Sequence, residues 1–142
     1  MKHAIVTASL LLACIGSASA SPASDAAQLH FTAIGAGDTA VIMHGYGDNA
    51  QLTWVGGTLD GSYAGADAIR ATWEKFGKVA GPARVTVYSL QESANAKGAT
   101  VVANVQFDGK LQVKVRYVLT YRDGKLVNET WQIDPKLDGH TS

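Results

Sequence analysis

Between Leu111 and Tyr121 every second residue is apolar: Leu111, Val113, Val115, Tyr117, Leu119 and Tyr121, with Gln112, Lys114 and Arg116 among the polar partners. A period of two belongs to a strand with one buried and one wet face, so this run needs a second layer to cover its apolar side. The same period holds from Arg84 onward, where Val85, Val87 and Tyr88 begin one strand and Val101, Ala103, Val105 and Phe107 mark another. Asp108-Gly109 and Asp123-Gly124 read as hairpin turns, so the C-terminal half predicts a curved antiparallel sheet. Register at the second turn follows from which face gathers apolar residues. A two-residue loop would put Asn128 and Thr130 on the Tyr117 face. A three-residue loop with Gly124 left-handed would put Val127, Glu129, Trp131 and Ile133 there, with Glu129 opposite Tyr117, and this second arrangement is the expected one. Gln112, Lys114 and Arg116 then form the outer face, either solvated or a wet interface between two copies.

The covering layer is read upstream. Ala66 to Lys78 predicts an amphipathic helix, because Ile69, Trp73 and Phe76 fall at i, i+4 and i+7, with Asp67 near its start and Lys75 and Lys78 near its end suiting the helix dipole. Gly81-Pro82 closes it. Ahead of it lie a short strand, Ala50 to Val55, and a turn-rich link, Gly56 to Gly65, expected to be a loop or flap. A first helix follows a cap within Ser21 to Ser24, with Ala26, Leu29, Ala33 and Ile34 as its apolar stripe and His30 at the edge. Gly35 and Gly37 end that helix, and Asp38 caps a second short helix running to about Met43 or Tyr46. The fold class expected is α+β, a cone-shaped roll with three N-terminal helices wrapped on one face of a bent sheet.

The chain has 142 residues, 46% hydrophobic and 17% charged, as expected of one globular domain. Lys2, the apolar run Ala4 to Ile15 and Ala18-Ser19-Ala20 read as an export signal over residues 1–20, with the domain at 21–142, a mature chain beginning at Ser21, and a periplasmic or secreted location. Leu11-Leu12-Ala13-Cys14 allows an alternative, a lipoprotein anchored at Cys14. The run is too short for a stable membrane span, which takes ~20 apolar residues. Without Lys2 the mature chain carries 11 basic and 12 acidic side chains, a formal charge of −1, with no Lys/Arg cluster of the kind nucleic acid calls for. Cys14 is the only cysteine.

The strings AGDTAVIMHGYGDNAQLTW, GADAIRATWEKF and YRDGKLVNETWQID resemble the nuclear transport factor 2-like superfamily, in particular its SnoaL-like members. A Gly-Asp bend, a D-[DN]-A strand start, a G-x-x-A-I-R-x-x-[WF] helix and a late D-G-K-[IL] hairpin carry the likeness over nearly all of the mature chain. The resemblance implies a cystatin-like cone, a scaffold that hosts isomerases, cyclases, dehydratases and non-catalytic binders. Carried position by position from the ketosteroid isomerases, the resemblance sets the helix tyrosine at His30, the aspartate base at Trp54 and the protonated aspartic acid at Tyr117. None of these three is a carboxylate, and Trp54 cannot be a base, so isomerisation by that route is not expected.

Glu129 is the carboxylate the register turns into the cone. It could act as a general acid or base with His30 and Tyr117, or serve as a hydrogen-bonded core residue. Trp54, Tyr46, Tyr63, Trp73 and Trp131 could line a pocket for a flat apolar ligand or fill the core. The mouth is expected near Trp54. His44, Asp48 and His140 lack a metal-site spacing, and no phosphate-binding or dinucleotide glycine pattern occurs, so neither metal nor cofactor is expected. Three functions stay open: a small-molecule binder, a cofactor-independent lyase or isomerase, and a dimerising interaction module, with a homodimer expected.

Overall fold

The structure, a computed structural model, describes residues 22–138. The readings on the export signal, Cys14 and His140 lie outside that range. Helix α1 spans Pro22–Ala36 and α2 Thr39–His44; strand β1 spans Tyr46–Val55 and β2 Gly61–Ala64; α3 spans Ala66–Ala80; β3 spans Arg84–Asn95, β4 Gly98–Asp108, β5 Gln112–Arg122 and β6 Lys125–Ile133. The six strands make one sheet in the order β2-β1-β6-β5-β4-β3. All neighbours are antiparallel except β1 and β6, which run parallel. The sheet is therefore mixed. A parallel pair needs a long crossover, and here the whole chain between β1 and β6 supplies it.

The helices form where expected, with the faces refined. The α3 stripe of Ile69, Trp73 and Phe76 is buried. Asp38 caps α2, its carboxylate accepting the Val41 N–H at 3.2 Å. In α1 the buried residues are Ala23, Ala27, His30, Phe31, Ala33, Ile34 and Gly35, whereas Leu29 is 67% exposed. The expected stripe through Leu29 was rotated, because small Ala23 and Ala27 sit against the sheet and let the helix approach closely. Gly35 has the same role at the other end: a Cβ there would overlap Val85 and the Ala83 carbonyl. That contact is sealed by the Ala83 N–H donating to the Gly35 carbonyl at 2.8 Å.

The link from Gly56 to Gly65 is more ordered than a loop. Gly61–Ala64 pairs with Gln51–Trp54 as an edge strand, and β1 itself begins four residues earlier than expected.

The β5–β6 turn has two residues, Asp123 and Gly124, both at positive φ (49° and 72°), between the paired Arg122 and Lys125. That geometry matches the two-residue hairpin loops that follow strand twist. A bulge then shifts the register: Tyr121 pairs with Leu126, but Thr120 pairs with Asn128. One residue, Val127, is absorbed, and every side chain beyond it changes face. Glu129, Trp131 and Ile133 therefore reach the Tyr117 face by a bulge rather than by a three-residue loop. Leu126 replaces Val127 in the core, and Glu129 lies opposite Leu119, with Trp131 opposite Tyr117.

The interior of the cone is built in rows across β1, β6, β5 and β4. Leu126, Tyr121 and Ala99 make one row, with Tyr46 beside Leu126. Leu52, Glu129, Leu119 and Val101 make the next, and Trp54, Trp131, Tyr117 and Ala103 the third. Glu129 thus sits in the middle row, one step from Tyr121 and one from Tyr117.

Candidate functional site

Helix α1 crosses the inner face so that His30 stands over the second and third rows. Its Nε2 lies 2.6 Å from Glu129 Oε2, across 99 residues of sequence. The other carboxyl oxygen, Oε1, accepts the Tyr46 hydroxyl at 2.8 Å. Tyr46 in turn accepts the Trp73 indole N–H at 2.8 Å. The Tyr117 hydroxyl stands 3.5 Å from His30 Nε2. The structure thus brings together five residues singled out in the sequence: Glu129, His30, Tyr117, Tyr46 and Trp73.

Proton accounting fixes most of this chain. An indole N–H can only donate, so Tyr46 must spend its own proton on Glu129 Oε1. The second oxygen faces imidazole with one proton on the short Oε2···Nε2 line. Glu129 is only 1% exposed. Its ion-pair partner among the described residues is His30, with no Lys or Arg beside it. A carboxyl group held this way is costly to bury and can give or take a proton only along one axis.

The surrounding phenols feel the same environment. Burial, followed by the Glu129 charge, pushes the hydroxyls of Tyr46 and Tyr117 well above the usual tyrosine range, and the same two causes raise Tyr121. For each, the folded value exceeds the unfolded one. The stability they contribute is therefore fully present below the unfolded tyrosine pKa of about 10 and is lost as pH rises toward the folded values. Denaturant midpoints should fall steeply above about pH 10, and tyrosinate absorbance from these three should appear together with unfolding. Gradual ionisation without loss of structure would show that the phenols are wet.

Trp54, Trp73, Phe76, Phe107 and Trp131 fill the third row and the space beyond it. Trp54 stacks on Trp131 at 4.5 Å between centroids, and Phe107 stacks on Trp131 at 5.2 Å. Trp54 is 3% exposed, so the end of the cone expected to be its mouth is closed by aromatic packing. Trp131 is buried completely, and its Nε1–H is, among the described residues, the buried side-chain polar atom with no acceptor. Tyr63 stands apart from the polar chain, its hydroxyl donating to the Leu59 carbonyl at 2.6 Å. Tyr121 and Glu92 were missed in the sequence. In the sequence Tyr121 is one more core position of an alternating strand, and no motif marks Glu92. Among the described residues no three His, Cys, Asp or Glu side chains gather as metal ligands.

Residues 27–129 match the family described as SnoaL-like domain. No curated protein matches the chain in sequence. Solved structures share the fold at low identity. An NTF2-like protein of unknown function from Pseudomonas putida KT2440 is 18% identical over 83% of this chain and 88% of its own, with a TM-score of 0.67. TerC, co-crystallised with polyporic acid, is 18% identical over 80% and 92%, TM-score 0.62. A putative polyketide cyclase from Sinorhizobium meliloti is 21% identical over 76% and 94%, TM-score 0.53.

Proposed function

Because this chain belongs to the SnoaL-like domain family, within the nuclear transport factor 2-like superfamily, we propose that it binds a small, apolar or aromatic molecule in its cone, at the Glu129–His30 pair. The observation that carries this reading is the carboxyl group of Glu129, 1% exposed and held by Tyr46 and His30. Apolar side chains of similar volume would stabilise such a position as well or better, so a buried acid in a small core points to use. The aromatic walls supply stacking surface, and the unpaired Trp131 N–H supplies a donor for a ligand oxygen. Both TerC, crystallised with polyporic acid, and the putative polyketide cyclase are consistent with a small-molecule cone. With Trp54 and Trp131 packed face to face, a ligand reaches the pair only as side chains shift.

The same geometry supports a cofactor-independent lyase or isomerase, since a proton on the Oε2···Nε2 line is one that a substrate could exchange. A metabolite screen by thermal shift, repeated on Glu129→Gln, tests both readings. Gln keeps the shape and removes the exchangeable acid. In an enzyme, turnover of a hit should fall about 100-fold or more with affinity nearly kept. In a binder only affinity would respond. Hits that ignore Glu129→Gln altogether would remove Glu129 from the site. Export with maturation at Ser21 belongs to the same proposal, and a purified chain whose intact mass starts at Ser21 supports it, whereas a diacylated Cys14 species overturns the Ser21 start and makes the protein a lipid-anchored one.

A further inference from the structure

The Glu129 row lies between the Trp54 row and the row of Tyr46 and Tyr121, one step from each, because Leu119, its β5 partner, stands two residues from Tyr117 on one side and two from Tyr121 on the other. The Trp54 side is closed by packed rings, which leaves the Tyr121 side. At that end is a chamber of about 290 Å³ bounded by the first turns of α1, the β3–β4 hairpin and the β5–β6 turn. Ala23 and Ala26 of α1, Ala99 of β4 and the ring of Tyr121 line its body, and Glu92 and Asp123 stand at its rim. Its size falls at the lower end of small-molecule sites, enough for one ring and a short tail.

Two features make the chamber more than a surface dent. Tyr121, 5% exposed, is a shared wall: one side faces the chamber, and the other the row that carries Glu129. Burial and the Glu129 charge both raise its phenol, as expected for a ring adjoining the buried acid. The rim is acidic, and no Lys or Arg lines the chamber. Glu92 Oε1 receives the Ser24 N–H at 2.8 Å and the Ser24 hydroxyl at 3.2 Å, which offsets the helix end, while Oε2 has no hydrogen-bond partner among the described residues.

We propose that this chamber is the outer half of the ligand site and takes a small aromatic or aliphatic amine, its apolar body against the alanines and Tyr121 and its ammonium at Glu92 and Asp123. The inference rests on the small-molecule reading above and moves the mouth of the cone from Trp54 to Tyr121. A ligand seated here has the Tyr121 ring between it and the row that carries Glu129, and rotation of Tyr121 would open the chamber toward that row.

The test is residue-resolved NMR titration of the purified protein with phenethylamine, 2-phenylethanol and phenylacetate, three probes of one shape and different charge. Phenethylamine should shift the Ala26 and Ala99 amides and bind about fivefold or more tighter than phenylacetate. Ala26→Phe, at a half-buried helix position, should abolish these shifts while the Trp73 indole signal reports an intact core. Glu92→Gln keeps an oxygen for the Ser24 cap and should erase the preference for the amine without removing phenylethanol binding. Equal affinity for all three probes, no binding of any, or shifts confined to the Trp54 and Trp131 indoles and indifferent to Ala26→Phe, would overturn the chamber. The last of these would leave the Glu129-centred reading standing. Chamber binding as expected, beside screen hits indifferent to Glu129→Gln, would remove that reading and keep the chamber.

Discussion

Trp73→Ala should cost about 3–5 kcal/mol of unfolding free energy, the range for emptying a large buried aromatic site. Trp73 is 2% exposed and touches Trp54, Trp131, Phe76 and His30 at ring-centroid distances of 5.4, 5.5, 6.0 and 6.0 Å. Its removal opens a cavity where four rings meet, and it takes away the N–H that orients Tyr46 toward Glu129. Glu74, one residue on, faces solvent, so Glu74→Ala should change stability by no more than about 0.5 kcal/mol. Urea melts of the two variants decide the matter. Since a domain of this size has only about 5–15 kcal/mol to lose, the Trp73 variant should be melted in the cold. Comparable small losses at both positions would mean that α3 does not bury this face.

The α3 face was legible because its signal is local: three large apolar residues at helical spacing, a polar opposite face and a Gly-Pro stop. The β5 alternation was legible for the same reason. What escaped the sequence depends on contacts distant along the chain. The parallel pairing of β1 with β6 joins residues some 80 positions apart, and nothing in either strand announces its partner's direction. Strand β2 was hidden because Gly61-Ser62-Tyr63-Ala64 is short, begins with glycine and is a strand only by pairing with β1. At the last hairpin, apolar clustering identified the right face for Glu129, but the device that achieves it was a bulge at Val127 behind a two-residue turn. Hydrophobic pattern fixes the face of a strand, and several turn geometries can satisfy one pattern. The meeting of His30 with Glu129 was expected from family resemblance together with the register. The chamber at Tyr121 had no signal at all, since small alanines and a glycine turn mark a hollow only once the elements around them are placed.

The chain from Trp73 to His30 also yields a stability experiment that reports how the buried acid is held. His30→Leu keeps much of the imidazole volume but donates nothing, so Glu129 would remain buried without its His30 partner, still accepting from the Tyr46 hydroxyl. Stranding one member of a buried pair costs about 3–5 kcal/mol, far more than the packing change of a near-isosteric swap. Glu129→Gln made in the same background removes the stranded charge while still accepting from Tyr46 and offering an amide. The double variant should therefore recover at least about 1.5 kcal/mol of the His30→Leu loss; the coupling is that recovery plus the cost of Glu129→Gln alone, as for residues in direct contact. Glu129→Gln alone should cost less than His30→Leu, because the imidazole can still bond the amide. Unfolding in urea at neutral pH, with the four corners of the cycle measured together, gives the coupling directly. If the two losses simply add, the carboxyl group carries no charge that His30 must offset. The pair would then be an ordinary neutral hydrogen bond, and a proton-exchanging role for Glu129 would lose its main physical support.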